Sequence, residues 1–350
     1  MAKVMVARNE GIVVGVDTHR DVHVAVALSG VGANLGTTSV PTTVAGSSEL
    51  LRWAQALGPI VAFGIEGTGS YGAGLTRWLA AHGQTVLEVD RPDRRARARE
   101  HRSDPLDAEV AARAVLSGKA TGVPKSGLGA VEMIRALRVA RRSAMKARTQ
   151  AANQLVALVL TAPPEIREVL RGMAVPRLVE VAGRFRPGPL VDPSAAVKTA
   201  LRHLARRHAA LSAEIAALDH DLGALVALAA PGLLAINGVG VEVAGALLVT
   251  VGDNPERLCS EASFARLCGA APLPASSGLT TRHRLNRGGD RQANNALWRI
   301  AIARMRRDGR TQEYVVRRTQ EGLSKREIIR CLKRYIAREV FTALKGVDGL

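Results

Sequence analysis

Short apolar runs between residues 11 and 89 constrain the fold most, because each has the length of one strand and helical patterns separate several of them. The runs that we interpret as strands lie at residues 11–16, 22–28, 60–65 and 85–89, and residues 37–42, although less apolar, could form a further strand with a weaker signal. Residues 47–57 and 74–82 have helical spacing, and a long basic helical stretch follows at residues 91–116. The order βββαβαβα predicts a mixed sheet with helices packed on it.

Four carboxylates stand where this pattern can bring them together. Asp17 ends the first predicted strand, Glu66 ends the fourth, and Asp104 and Asp107 lie three residues apart on the next helix. Carboxylates from strand ends and one helix face can converge, and hard divalent cations prefer such oxygen ligands. The pattern predicts a metal site, in which two ions would suit phosphoryl transfer. The simpler alternative is that Asp17 forms a turn and that Asp104-Pro-Leu-Asp107 caps its helix.

The same segment allows two further interpretations. His19 and His23 flank the first predicted hairpin and could be ligands, but we interpret them as partly exposed turn and strand residues. The start of the chain also suits an actin-like sugar kinase. That fold needs a second nucleotide-binding lobe with a glycine-rich phosphate loop, and we find no such loop after residue 120.

The charge of the chain is strongly positive and unevenly distributed. Its 49 Lys and Arg residues exceed its 31 Asp and Glu residues, for a formal net charge of +18. Residues 91–150 carry a net charge of +9 and residues 281–340 of +11, whereas residues 1–90 carry −2 and residues 151–280 carry 0. Two basic blocks indicate nucleic acid as the partner. Aromatic residues make up 3% of the chain, so contacts with the phosphate backbone should outweigh base stacking.

The middle of the chain has the pattern of long helices. Residues 129–160 are helical and rich in arginine, and two prolines at 163 and 164 close the stretch. Apolar residues at 201, 204, 211, 215, 218, 222 and 225 then follow steps of three and four, interrupted by the histidine at 208. This heptad seam predicts two long helices that form a coiled-coil hairpin or pair with another subunit. The alternative is an ordinary amphipathic bundle helix.

The last third of the chain predicts a compact, mainly helical region. Residues 234–248 (LAINGVGVEVAGALL) match a helix-hairpin-helix pattern, in which Gly238 and Gly240 let backbone N–H groups approach a phosphate. A plain glycine-rich turn is the alternative. Ser276 and Ser277 follow in a loop before a basic cluster that favours a nearby phosphate. A loop serine is usually a turn former, and its hydroxyl could attack phosphorus only if the barrier were lowered.

Several long motifs, in order, resemble the DEDD transposases of the bridge-RNA-guided insertion-sequence family (the "IS one-ten" type). The motifs similar to the family's RuvC-like domain are VGVDTHRDVHVAV, AFGIEGTGSYG and HRSDPLDAEVAARAV. Those similar to its C-terminal transposase domain are INGVGVEVAGALLVTVGD, FARLCGAAPLPASSG and HRLNRGGDRQANNALWRIAIARM. The resemblance covers nearly the whole chain and departs from the family pattern at the Ser276-Ser277 doublet and at Leu279.

The resemblance implies a fold of three regions. Residues 1–125 would form an α/β RNase H-like (RuvC-like) DEDD catalytic domain. Residues 126–229 would form a helical coiled-coil linker. Residues 230–345 would form a mainly α-helical transposase domain, with a helix-hairpin-helix-like motif and the catalytic serine.

The resemblance also implies the site residues. Asp17, Glu66, Asp104 and Asp107 would bind Mg²⁺, as a two-metal site, and Ser277 would be the nucleophile, with Ser276 as the alternative. The resemblance implies a recombinase that links DNA transiently to this serine and exchanges strands. The nucleic-acid contacts that we expect come from Arg95, Arg99, Arg102, Arg138, Arg141, Arg142, Gly238, Gly240, Arg282, His283, Arg284, Arg287 and Arg291.

The partners implied are donor and target DNA, a structured noncoding RNA that guides their choice, and further copies of the chain in a dimer or tetramer. We expect no membrane span, no secretory signal and a bacterial cytoplasmic location, with association with the nucleoid during activity. The chain has 3 cysteines without metal-site spacing, which fits a reducing compartment.

Two other functions stay open. A hydrolytic nuclease of the Holliday-junction-resolvase type would use the four carboxylates with water and would not need Ser277. A non-catalytic DNA or RNA architectural protein would keep its function after the loss of Asp17 and Glu66.

Overall fold

The structure, a computed structural model, describes residues 11–89, 103–254, 257–275, 283–284 and 286–345. The chain divides into two compact units. Met1–Gly129 and Val251–Ser260 form the first unit, and Ala130–Thr250 and Glu261–Leu350 form the second. The three regions predicted from the sequence, with boundaries near residues 125 and 229, stay a prediction.

A five-stranded mixed sheet lies at the centre of the first unit, as the sequence predicts. Its strands are β1 (Ile12–Thr18), β2 (Val22–Ser29), β3 (Asn34–Pro41), β4 (Ile60–Glu66) and β5 (Val86–Val89). They lie in the order β3-β2-β1-β4-β5. The first three strands pair antiparallel, whereas β4 is parallel to both β1 and β5. The carboxyl ends of β1 and β4 therefore lie side by side, in an arrangement consistent with an RNase H-like domain.

Helices cover both faces of this sheet. On one face, α1 (Val44–Leu57) and α2 (Ala73–Ala81) pack against an apolar cluster. On the other face, α3 (Asp104–Leu116) buries a row of small residues against the sheet. The two faces use alternate residues of each strand, as the two-residue period of a strand requires.

Two glycines let α3 approach the sheet closely. A Cβ atom at Gly15 of β1 would lie 2.0 Å from the carbonyl oxygen of Ala108. A Cβ atom at Gly64 of β4 would lie 2.6 Å from a methyl group of Val115. Neither contact is sterically possible, so the close packing of α3 requires glycine at both positions.

The start of α3 differs slightly from the sequence-based interpretation. Ser103 occupies the N-cap position, Asp104 is the first helical residue, and Pro105 is the second. Asp104 is therefore not the cap, although Asp104 and Asp107 both lie in the first turn. The part of the predicted basic helix before Ser103, residues 91–102, lies outside the described residues.

Two long helices dominate the second unit. They are α4 (Ala130–Leu160) and α7 (Pro193–Ala229), which pack against each other and are joined through α5 (Pro164–Leu170) and α6 (Val175–Gly183). The predicted seam of α7 is borne out as its inward face: Leu201, Ile215 and Leu222 are buried, and the other seam positions are half-buried. Whether the helices form a coiled coil stays a prediction.

The rest of the second unit is mainly helical. Its elements are α8 (Pro231–Leu234), α9 (Val241–Val251), α10 (Glu261–Leu267), β6 (Leu273–Pro274), β7 (His283–Arg284), α11 (Arg291–Arg307), α12 (Gly309–Gln320) and α13 (Lys325–Lys345). The C-terminal helix α13 packs against both α10 and α11. Within the described residues, no helix combines the length and the apolar character that a membrane crossing needs.

Candidate metal centre and basic surfaces

Two of the predicted carboxylates lie at the carboxyl ends of neighbouring parallel strands. Val16 pairs with Ile65 in the register between β1 and β4, so the residues that follow, Asp17 and Glu66, lie side by side. Each stands two residues after the glycine that faces α3, and therefore points to the same face of the sheet. The sequence alone places both residues at strand ends, and the parallel pairing makes them neighbours.

The first turn of α3 brings the other two carboxylates to this face. Asp104 is exposed at the first position of the helix, and Asp107, three residues later in the same turn, is half-buried. The charges of both act on Asp17, since each raises the pKa of its carboxyl group. Three of the four predicted ligands therefore lie within electrostatic reach of one another. Glu66, on the neighbouring strand, is 4% exposed.

A histidine joins the carboxylates. The Nε2 atom of His19 lies 3.0 Å from Oδ2 of Asp17 and 3.5 Å from Oδ1 of Asp104. Ligand atoms of these three residues all lie within 4.8 Å of one another, which is close enough for a single metal ion to bind them together. Carboxylate oxygens suit Mg²⁺ and Mn²⁺, and an imidazole nitrogen is a common ligand of other divalent transition metals. The donor set therefore fits a divalent cation.

The pKa of Asp17 also indicates that this cluster would favour a bound cation. Burial raises the pKa of Asp17, and the neighbouring charges of Asp107 and Asp104 raise it further, whereas His19 lowers it. The ionised carboxylate is thus held in an unfavourable environment that a cation would relieve. Such a concentration of like charge is common at sites built for a metal ion.

His23 is buried, contrary to the sequence-based interpretation, whereas His19 is a partly exposed turn residue as predicted. We interpreted both as partly exposed, but His23 is 3% exposed within the sheet, where burial lowers the pKa of its imidazole. His19 is half-exposed but contacts two predicted ligands. In the sequence, the one indication that His19 could join the carboxylates is its position two residues after Asp17. The contact with Asp104 depends on where α3 packs, which the sequence does not show.

A second layer of contacts holds the end of β4. The hydroxyl of Thr18 donates to the backbone oxygen of Glu66 at 2.9 Å, which ties the two strand ends together. Gly67 follows in the left-handed region, with φ of 67°, and turns the chain away from the sheet. The hydroxyl of Thr68 then donates to Oε1 of Glu88 at 2.8 Å. These contacts fix the backbone that carries Glu66.

Several predicted nucleic-acid contacts surround one cavity in the second unit, of about 560 Å³. Arg138 is 5% exposed and donates to the backbone oxygen of Glu242 at 2.6 Å, and Arg141 pairs with Asp219. Both side chains are therefore engaged within the protein. The predicted residues that line this cavity are Arg138, Arg141, Arg142 and Arg291. Of these four, Arg142 and Arg291 are exposed, so they are better placed to contact a ligand.

A short hairpin carries part of the other basic cluster. β6 and β7 pair antiparallel, so that Pro274 lies opposite His283. His283, Arg284 and Arg287 are exposed. Ser276 and Ser277 belong to the connection between the two strands and lie outside the described residues. The other predicted residues outside them are Arg282, Arg95, Arg99 and Arg102.

A turn separates the two helices at the position of the predicted helix-hairpin-helix motif, and the motif itself stays a prediction. Gly238 and Gly240 lie between α8 and α9, and Gly238 has a φ of 84°. A Cβ atom at Gly240 would meet nothing within 4 Å, so the backbone there is open to approach. A role for this turn in binding phosphate stays a prediction.

Comparison with known proteins gives two family matches. Residues 14–164 match a transposase model of the DEDD type named after IS110. Residues 230–316 match a second model, described as transposase IS116/IS110/IS902 family. The two matches together span more than half of the chain. The first match includes all four predicted metal ligands, and the second includes both serines.

A curated protein of Streptomyces coelicolor is also similar. It is described as insertion element IS110 uncharacterized 43.6 kDa protein, and it is 34% identical over 163 residues. The aligned part is 46% of this chain and 37% of that protein, so the similarity spans less than half of the relative's length.

Proposed function

Because the chain belongs to the IS110 family of DEDD transposases, we propose that it is a DNA transposase that cuts and exchanges strands with a divalent cation on its carboxylate cluster. The observation that carries this proposal is the meeting of Asp17, His19 and Asp104, with ligand atoms within 4.8 Å, beside the strand end that bears Glu66. Asp17, Glu66, Asp104 and Asp107 would hold the cation, with Mg²⁺ as the expected ion and two ions as the expected number.

Each carboxylate has a distinct contribution to such a site. Asp17 and Glu66 come from adjacent strands of a rigid sheet and give fixed ligands. Asp104 and Asp107 come from the start of α3, whose distance from the sheet is set by Gly15 and Gly64. A bound Mg²⁺ would neutralise charge on the scissile phosphate and lower the pKa of the attacking oxygen. His19 would orient the carboxylates of Asp17 and Asp104 through its contacts to both.

We propose Ser277 as the nucleophile, with Ser276 as the alternative. Its hydroxyl oxygen would attack phosphorus and lose its proton, and the displaced deoxyribose oxygen would gain one and leave as a hydroxyl. The product would be a phosphoserine ester between protein and DNA. Attack by the hydroxyl of another strand end would then restore the serine and complete the exchange.

The positive charge of the chain indicates nucleic acids as its partners. Donor DNA, target DNA and a structured noncoding guide RNA are the proposed ligands of the two basic blocks, which carry net charges of +9 and +11. The long helices α4 and α7 are proposed to join copies of the chain as a coiled coil in a dimer or tetramer. The described basic residues that could take part without losing an internal ion pair include Arg142, Arg284 and Arg291.

A trapping experiment tests the proposal. Full-length protein is mixed with RNA from the region that flanks its gene, Mg²⁺ and end-labelled DNA spanning the element junction, and is separated on a denaturing protein gel. We expect label that migrates with the protein, that disappears with Ser277→Ala and that persists with Ser276→Ala. Asp17→Ala should reduce the label by about 100-fold or more. Asp21→Ala, an 85% exposed carboxylate on the same hairpin, is the matched control and should have no effect.

The same gel separates the alternatives. Cleaved DNA without protein-bound label, in an amount that Ser277→Ala leaves unchanged, would support a hydrolytic nuclease that uses the carboxylates with water. DNA binding without cleavage, insensitive to Asp17→Ala, would support an architectural protein.

A further inference from the structure

Another cavity of the second unit is lined by six Lys and Arg residues. Its volume is about 620 Å³, and its walls come from α12, α13, β7 and the turn after α10. Glu327 is the one carboxylate among its described lining residues. The cationic lining residues are Arg284, Arg318, Arg330, Lys333, Arg334 and Arg338. We call this space the Lys333 cavity.

Most of these cations already have a carboxylate partner. Arg334 and Arg338 share Glu261, the latter at 3.1 Å. Arg318 pairs with Glu321, and Arg330 lies 3.7 Å from Glu327. Among the described residues, Lys333 and Arg284 have no carboxylate within ion-pair distance. The described carboxylates that pair with the six cations are three, Glu261, Glu321 and Glu327, so the cavity has an excess of three positive charges.

Lys333 is the more informative of the two because it is buried. It is 5% exposed, and its Nζ donates to Oδ1 of Asn294 at 2.9 Å. An ammonium group has three N–H donors, and within the described part of the chain this is its one hydrogen bond. A buried cation with a single neutral partner is costly, and desolvation together with the charge of Arg330 lowers the pKa of Lys333. An anion in the cavity would offset both costs.

The position of the cavity indicates which anion. Arg284 and His283 belong to β7, which pairs with β6 and so anchors one end of the connection that contains Ser277. Tyr335, 49% exposed, also lines the cavity, and its ring packs edge-to-face against the ring of Tyr314. A cationic pair beside an aromatic ring suits a sugar–phosphate unit of a nucleic-acid strand.

We propose that the Lys333 cavity binds one backbone phosphate of a DNA strand, with Lys333 as its buried cation and Arg284 as its exposed one. This inference rests on the proposed function for the identity of the polyanion, but it requires neither the metal nor the serine. It assigns Lys333 a role in holding the strand next to the β6–β7 hairpin.

A purely structural role for Lys333 is the main competing explanation. The amide of Asn294, which accepts from Lys333, donates to the backbone oxygens of Cys268 and Gly269 at 2.8 and 3.0 Å. Lys333 could therefore serve only to orient Asn294 and the turn after α10. A structural role would affect stability, whereas a phosphate site would affect affinity and its dependence on salt.

The test is a DNA-binding titration of the full-length protein in EDTA, with a labelled single strand of about 20 nucleotides at several salt concentrations. We expect Lys333→Gln, which can still donate to Asn294, to weaken binding about 10-fold and to make the log–log salt slope shallower by about one phosphate contact. Lys325→Gln is the matched control, because Lys325 is an exposed lysine of the same helix that does not line the cavity. It should change affinity less than about 2-fold.

Two further measurements cover the case in which Lys333→Gln does not fold or has lower stability. Arg284→Gln should weaken DNA binding by a similar factor, and its affinity tests the proposal if Lys333→Gln fails to fold. The melting temperature of folded Lys333→Gln should equal or exceed that of the wild type. Equal DNA affinity for Lys333→Gln and Lys325→Gln, or a lower melting temperature with unchanged affinity, would overturn the proposal. Stabilisation by inorganic phosphate that depends on Lys333, without any effect of Lys333→Gln on DNA affinity, would also overturn it and assign a free-anion site.

The DNA-binding titration of the Lys333 variants is independent of the proposed transposase activity. Loss of protein-bound label with Asp17→Ala tests the metal site, and DNA affinity in EDTA tests the cavity. Either one can fail while the other holds.

Discussion

At the scale of single residues, the balance of charge at Asp17 decides how the candidate metal centre behaves. Burial and two neighbouring carboxylates disfavour its ionised form, and His19 compensates only in part, so that the pKa of Asp17 is raised. A raised carboxyl pKa makes the ionised group a cost to folding at neutral pH, and that cost disappears in acid, where Asp17 is protonated in both folded and unfolded chains. A cation bound at the site would remove the same cost.

Asp17→Asn tests this balance. In EDTA at neutral pH, the variant should melt about 2 °C higher than the wild type, because an amide has no charge to desolvate. The gain should vanish at a pH below the ordinary range for aspartate. Saturating Mg²⁺ should raise the melting temperature of the wild type by several degrees and that of the variant much less.

Asp21→Asn, on the exposed turn of the same hairpin, is the control and should respond to Mg²⁺ like the wild type. An Asp17→Asn variant that is less stable in EDTA, or equally stabilised by Mg²⁺, would contradict this account of the cluster.

At the scale of elements, the distance between α3 and the sheet sets where Asp104 and Asp107 lie. That distance depends on Gly15, because a Cβ atom there would meet Ala108 at 2.0 Å and the backbone nitrogen of Ala112 at 2.4 Å. Backbone atoms cannot move aside as a flexible side chain can. A single methyl group on β1 should therefore displace the helix as a whole.

Gly15→Ala should destabilise the protein by about 2–3 kcal/mol and weaken Mg²⁺ binding. Unfolding in denaturant measures the loss of stability. The rise in melting temperature with added Mg²⁺ measures the binding of the cation. Gly74→Ala in α2 is the control, because a Cβ atom there would meet nothing within 4 Å and alanine favours helix. A Gly15→Ala variant with normal stability and normal response to Mg²⁺ would contradict the close approach.

The long helix α7 offers a second element-scale prediction. Leu201 is fully buried against neighbouring helices, whereas Leu228 of the same helix is 80% exposed. Leu201→Ala should cost about 2–5 kcal/mol, because it removes buried methyl groups and leaves a cavity. Leu228→Ala should have little effect on the unfolding midpoint in denaturant. Similar midpoints for the two variants would mean that the heptad seam does not form the packed face.

At the scale of the whole molecule, the excess of positive charge dominates how the protein meets its partners. The formal net charge is +18, and the block at residues 281–340 alone carries +11. Several arginines of that block are neutralised internally, as Arg304 is by Glu339 at 2.6 Å. The number of arginines therefore overstates the number of phosphate contacts.

Binding of DNA or RNA should nevertheless depend steeply on salt. With about 6–10 phosphates neutralised, affinity should fall by roughly 10³–10⁵ between about 50 and 200 mM salt. A titration in EDTA at four or more salt concentrations measures the slope. A nearly flat slope would contradict the role assigned to the basic blocks.

Much of the fold could be predicted from the sequence because its signals are local. Four of the five strands are short apolar runs, β3 is a mostly polar segment, and each strand is found close to its predicted position. Gly238 and Gly240 were likewise visible as a turn between helices. The seam from Leu201 identified the inward face of α7 by periodicity alone, since the side chains of one helical face recur at steps of three and four.

The sequence by itself determined which carboxylates stand at strand ends and at the start of a helix, because those positions follow from local pattern. Only the tertiary structure decided that His19 belongs to the cluster, since its partner Asp104 comes from a helix more than 80 residues further along the chain. The same holds for Lys333, which looks like one more basic residue in the sequence. Its burial beside Asn294, and its lack of a described carboxylate partner, depend on how α11 and α13 pack. Contacts between residues distant in sequence decide how far a charged side chain is removed from water. That removal distinguishes a charge that is merely solvated at the surface from one that can form a binding site.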